Sequence, residues 1–142
     1  MSKHLNWIIT CLVSLGILIL SACSIRKGDP AILNAEWRWQ SWQTPQDVRP
    51  TMVYNPDQYT LTLSPDKTVA IKADCNSAGG EFKLSGRIIT FSNLFITEMY
   101  CSDASLDTTF VQMLSRVTTY RIEDGWLVLT LDDGQTVMRF SQ

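Results

Sequence analysis

Two cysteines lie deep in the chain, and each is bracketed by strand-like sequence. Cys75 sits in Ala-Asp-Cys-Asn-Ser-Ala-Gly-Gly-Glu-Phe, residues 73–82, and Cys101 closes Thr-Glu-Met-Tyr-Cys, residues 97–101. The best helix candidate starts a few residues after Cys101. The two segments are therefore expected to meet in space, with the rest of the domain built around their junction. The chain has 142 residues, which suits one hydrophobic core and not two.

The N-terminus reads as an address. Lys3 and His4 precede an almost wholly apolar run of 14 residues, 7–20. That is shorter than the roughly 20 residues needed to span a bilayer and has the length of a signal-peptide core. Leu20, Ser21, Ala22 and Cys23 follow and resemble the lipobox of bacterial lipoproteins. The resemblance implies cleavage before Cys23 and lipidation of its thiol and new amine. One acyl chain holds a protein reversibly, whereas two or more anchor it stably. Cys11 lies inside the apolar run and leaves with it. Ser24, in place of Asp, favours the outer membrane by the enterobacterial sorting pattern. Residues 1–22 are thus expected to be a signal peptide, residues 23–35 a lipidated start and tether, and residues 36–142 the folded domain.

Charge narrows the partners. The chain carries 12 basic and 14 acidic residues. Loss of Lys3 leaves 11 against 14, a net of −3, with no basic run. Nucleic-acid binding is unsupported, and so is an electrostatic hold on anionic lipid.

After the tether, period-two alternation dominates. Trp37 and Trp39 fall on one side of a short strand, with Trp42 close behind. Three tryptophans in six residues could form an exposed stacking platform; the competing reading closes one end of the core with them. Residues 44–57 hold three prolines and read as a loop with a short extended piece near 51–54. Tyr59, Leu61 and Leu63 alternate with polar residues, turn at Pro65-Asp66-Lys67, and pair with Val69, Ile71 and Ala73. Ser77 to Gly80 permit bulged or left-handed backbone. Phe82 and Leu84 point inward, Ser85-Gly86-Arg87 turns, and Ile88 to Phe91 returns. Leu106, Phe110, Val111, Met113, Leu114 and Val117 share one helical face, with Ser105 or Asp103 as cap. Three more strands follow, joined at Asp124-Gly125 and at Asp132-Asp133-Gly134. The expected fold is α+β, an antiparallel β-sheet or open barrel wrapped around one amphipathic helix.

The pattern resembles the META domain of HslJ-like bacterial lipoproteins. The resemblance spans residues 36–141 and rests on Tyr59-Thr-Leu-Thr-Leu, on Asp74-Cys75-Asn76 followed by Gly79-Gly80 and Phe82, on Thr97-x-Met99-x-Cys101, on Phe110-x-x-x-Leu114, and on the closing Asp133-Gly134 and Phe140. Two sites depart: Lys67 stands where a glycine is common, and the pair Ser77-Ala78 replaces an Arg or Tyr. The resemblance implies the α+β fold and no settled activity. At fold level it is similar to lipoprotein pilots that dock secretin tails.

Chemistry is scarce. His4, the single histidine, leaves with the signal, so Cys–His and Ser–His nucleophile pairs are excluded from the mature chain. No CxxC spacing occurs. In an oxidising compartment, with Cys23 lipidated, Cys75 and Cys101 pair without remainder, and a structural disulfide is expected over a redox role. Asp74 and Asn76 are expected to bond backbone groups at a bulge. Glu81 and Glu98 are not placed together by spacing, and Asp132-Asp133-Gly134 fits a hairpin better than a calcium loop. The sequence-level reading is a non-enzymatic, lipid-anchored lipoprotein of the periplasm with neither cofactor nor metal, attached through Cys23, that serves envelope maintenance or the stress response. The alternative is an assembly pilot or inhibitor that binds an envelope protein.

Overall fold

A computed structural model describes residues 30–142. The expected signal peptide, Cys23 and the first part of the tether lie outside the described residues. The strands are β1 (Glu36–Gln43), β2 (Thr51–Met52), β3 (Tyr59–Leu63), β4 (Thr68–Ala73), β5 (Asn76–Ser85), β6 (Ile88–Ile96), β7 (Val117–Glu123), β8 (Trp126–Leu131) and β9 (Val137–Ser141). Among the described residues one α-helix, α1 (Asp107–Ser115), joins β6 to β7.

From β3 onward each strand pairs antiparallel with its sequence neighbour, and β1 pairs with both β3 and β9. That last contact closes an eight-stranded barrel, with β2 as a short addition beside β1. The open form expected from the alternation does not occur. Its cause lies in β1: Arg38 faces Thr60 on one edge and Ser141 on the other. A bulge between Trp39 and Ser41 bends β1 so that it can serve both neighbours. A closed sheet leaves no edge at this seam, which its ends could not have achieved as an open meander.

The helix is not enclosed by the sheet, contrary to expectation. It packs on β6 and β4, where the barrel is weakest: β6 and β7 share the single pair Ile88–Thr119 and the bond from Tyr120 N to Arg87 O (2.9 Å). Phe110, Val111 and Leu114 are buried while Thr108, Thr109 and Gln112 face solvent. Phe110 carries most of the work. Its ring stacks on Trp39 at 4.9 Å, meets Tyr59 edge-on at 5.9 Å and reaches Phe140 at 6.1 Å. One helical side chain thus touches β1, β3 and β9 and fills the barrel interior.

The tether boundary also moves. Ile32 is fully buried, Leu33 bridges Leu63, and Asn34 N donates to Leu63 O at 2.8 Å. Trp37 Nε1 donates to Ile32 O at 3.1 Å. Residues 30–35 belong to the fold because an apolar Ile followed by Leu has barrel surface to cover.

Candidate functional site

The tryptophans do not form a binding surface. Trp37 and Trp39 are buried at 2% and 0% exposure, and Trp42 is half-buried with its ring 5.0 Å from Trp39. The indole N–H groups of Trp37 and Trp39 donate to main-chain carbonyls, Trp39 Nε1 to Ser41 O at 3.1 Å. The large apolar area of these rings gains most by closing the barrel, which is the competing reading given above.

The junction of the β4–β5 turn with the segment after β6 is built as expected, and more tightly. Cys75 and Cys101 form a disulfide with Cα atoms 5.6 Å apart. Asn76, 2% exposed, uses its whole amide. Its Oδ1 accepts from Thr97 Oγ1 (2.7 Å) and Met99 N (2.9 Å). Its Nδ2 donates to Met99 O (2.9 Å) and Asp107 Oδ2 (2.7 Å). Asn76 therefore pins residues 97–99 and the first turn of α1 to β5. The bonds are long-range, not the local bulge bonds expected from its neighbours.

Tyr59 adds a second tie. Its hydroxyl accepts from Leu106 N at 3.0 Å and donates to Asp74 Oδ2 at 3.4 Å. Asp74 takes φ +60°, a conformation Asp tolerates in tight turns. Asp107 also accepts from Thr108 N at 2.7 Å, so its carboxylate satisfies a helix N-terminal donor while it holds Asn76. The cap expected at Ser105 is displaced: α1 is preceded by Leu106, and Ser105 Oγ accepts from Asp107 N at 3.3 Å.

Outside this clamp the chain presents apolar side chains to solvent. Met99 and Tyr100 are 57% and 80% exposed. The Tyr100 hydroxyl donates to Asp103 (2.8 Å), which holds its pKa above the ordinary value, with a smaller contribution from desolvation. On β4–β6, a shallow groove of about 440 Å³ runs over Ala70, Gly79, Gly80 and Phe95. It owes its shape to a bulge. Asn93 takes φ +53°, and β6 spends two residues against Gly80. This flips the inside–outside alternation, so Phe91 faces inward and Phe95, 63% exposed, faces out. The extra residue expected at the glycines thus sits on the partner strand. The glycines are needed for approach: a Cβ on Gly79 would lie 3.0 Å from the Phe95 ring, and one on Gly80 2.8 Å from Ser92 O. Glu81 bonds Asn93 Nδ2 (3.2 Å) at the rim, and Glu98 is exposed.

Sequence reasoning missed Tyr59 and Asp107 as members of the junction, and Phe95 as a surface residue. Alternation accounts for Tyr59 as a core residue, an acidic residue in a first helical turn needs no further partner to account for Asp107, and nothing local marks a contact across 47 or 31 residues.

The META domain model matches residues 30–142, which includes the N-terminal turn and both halves of the junction. The chain belongs to the META domain family. Among solved structures, the chain is similar to a protein from Burkholderia xenovorans, with TM-score 0.63 and 21% identity over 84% of this chain and 92% of that one. It is also similar to a DUF4847 family protein from Bacteroides vulgatus, with TM-score 0.58 and 13% identity over 78% and 93%. At these identities the likeness is one of fold. No protein of curated function matches the chain. This META domain is a closed barrel in which Asp74-Cys75-Asn76 is the knot tying turn, loop and helix together.

Proposed function

We propose that this META domain is a lipid-anchored binding module of the bacterial envelope, periplasmic and facing in from the outer membrane, non-enzymatic, and active in envelope maintenance or stress response. The observation that carries the reading is the pairing of two sequence features, the lipobox-like Leu20-Ser21-Ala22-Cys23 and a fold that starts almost at once. Residues 23–29, seven in all, could reach at most roughly 25 Å when fully extended. A domain held that close to a bilayer has a high effective concentration for partners at the membrane surface. The Cys75–Cys101 disulfide suits an oxidising compartment. The lack of histidine after His4 supports a non-enzymatic role over nucleophile-triad hydrolysis.

The test is detergent phase partition and acyl labelling of the full chain and of Cys23→Ala. The full chain is expected in the detergent phase with acyl label, and Cys23→Ala is expected to lose the label. A Cys23→Ala protein that still carries acyl label would refute the anchor.

A second reading, a module that receives a peptide or loop of an envelope protein, is favoured by the groove at Phe95 and its glycine floor. A photo-crosslinking side chain placed at Ala70 is expected to capture one discrete partner in cells, and one at Thr119 is not. Equal capture at both positions would remove the groove from consideration.

A further inference from the structure

The disulfide is asymmetric. Cys75 is exposed, whereas Cys101 is half-buried. One sulfur holds the donor: Cys75 N lies 3.2 Å from Cys101 Sγ, and the Asn76 amide nitrogen, its two hydrogens given to Met99 and Asp107, sits 3.4 Å from the same sulfur with its positive dipole end nearby. A hydrogen bond to a sulfur favours its thiolate form, and a sulfur favoured as thiolate is the better leaving group in thiol–disulfide exchange. The opposing groups act less selectively. Met99 O lies 3.7 Å from Cys101 Sγ and 4.0 Å from Cys75 Sγ. The carboxylate of Asp74 belongs to the residue before Cys75, and that of Asp107 is bonded to Asn76. Exposure and leaving-group stabilisation therefore point the same way.

We infer that Cys75–Cys101 is a directional, thiol-reducible latch: a small thiolate attacks Cys75 Sγ, and Cys101 leaves. The attacking sulfur forms a new S–S bond to Cys75, the Cys75–Cys101 bond breaks, and its electron pair departs on Cys101 Sγ, which then takes a proton from water. A second small thiolate attacks the adduct at its own sulfur, expels Cys75 as a thiolate that is protonated in turn, and leaves as the oxidised small disulfide. The protein disulfide gains two electrons, and two thiols lose one each.

The latch has a defined load. It closes the span between the β4–β5 turn and the loop that carries Met99 and Tyr100. The bonds of Asn76 to residues 97–107 and of Tyr59 to Leu106 do not depend on it. Opening therefore frees residues 100–105 and leaves the barrel standing.

The probe is glutathione on the native full chain, quenched with acid, alkylated and mapped by peptide mass spectrometry, with Cys11 and Cys23 read as separate peptides. The glutathione adduct is expected on Cys75 and the alkyl group on Cys101, with a preference of about tenfold or more. Hydrogen exchange of the reduced protein is expected to accelerate at residues 100–105 and stay slow in β3, β4 and β8. An adduct mainly on Cys101, equal adducts on both, or reduction only under denaturing conditions would each overturn the inference. So would faster exchange throughout the barrel. The outcome is independent of lipidation at Cys23, so failure of the anchor and failure of the latch are distinguishable.

Discussion

At the scale of single residues, Asn76 and Lys67 show how backbone demands select side chains. Asn76 is buried and satisfies both ends of its amide. Truncation leaves the main chain of Met99 and the Asp107 carboxylate without these partners, and unmade buried bonds cost more than made ones return. Asn76→Ala is expected to lower stability by about 2–4 kcal/mol, measured by urea unfolding, whereas Thr97→Ala, which removes one bond to the hub, should cost about 1 kcal/mol. Lys67 takes φ +72° in the turn between β3 and β4, a conformation that glycine adopts without cost. A left-handed non-glycine residue is strained by about 1 kcal/mol. Lys67→Gly is therefore expected to raise the unfolding free energy modestly, by up to about 1 kcal/mol, read from urea unfolding; a loss of that size would refute the strain.

At the scale of elements, the β8–β9 hairpin is organised by one carboxylate. Asp133 accepts from Gln135 N (2.9 Å), Thr136 N (2.7 Å) and Thr136 Oγ1. The Thr136 hydroxyl, foremost, and then the two backbone amides pull its pKa from 3.8 to about 2. The folded pKa is depressed, so the ionised form stabilises the fold above about pH 4, and that contribution is lost as pH falls from about 4 through about 2. Asp133→Asn is expected to flatten this part of the acid limb of a stability–pH curve, and an unchanged slope would remove Asp133 from the acid response. The turn at Asp124-Gly125, with φ +50° and +83°, is of the paired left-handed kind that two-residue hairpins favour. Both hairpins were legible because their chemistry is local. The Asn93 bulge was not: it shows in the register shift against β5 and the left-handed backbone of Asn93, and an Asn in a polar spacer carries no mark of it.

At the scale of the molecule, closure and the helix seam decide the fold. Phe110 touches the three neighbouring strands that meet at the closure, β9, β1 and β3, so its loss opens a cavity that no single strand can collapse. Phe110→Ala is expected to cost about 3–5 kcal/mol with one cooperative transition retained, read by thermal unfolding. A cost below about 1 kcal/mol would show that the helix is peripheral. Severing the disulfide removes a constraint across 26 positions, about 3.5 kcal/mol on the chain-entropy account.

The sequence by itself determined what depends on neighbours along the chain: the alternating strands, the helix face, the tight turns and the META family resemblance. Each follows from side-chain periodicity or from a residue's own backbone preference, which act over a few positions. The pairing of the two deep cysteines also came from the sequence, because only two remain once Cys11 and Cys23 are assigned elsewhere. Tertiary structure alone decided that β1 meets β9, that Ile32 belongs to the core, that Trp37 and Trp39 are buried, and that Phe95 faces out. These outcomes depend on which surfaces compete for burial once the sheet curves, a property of the whole barrel that no local pattern encodes. The junction lies between the two cases. Asp74-Cys75-Asn76 was readable as the marker of the fold, but only the closed structure shows why: Asn76 spends its amide on a loop and a helix more than twenty residues away.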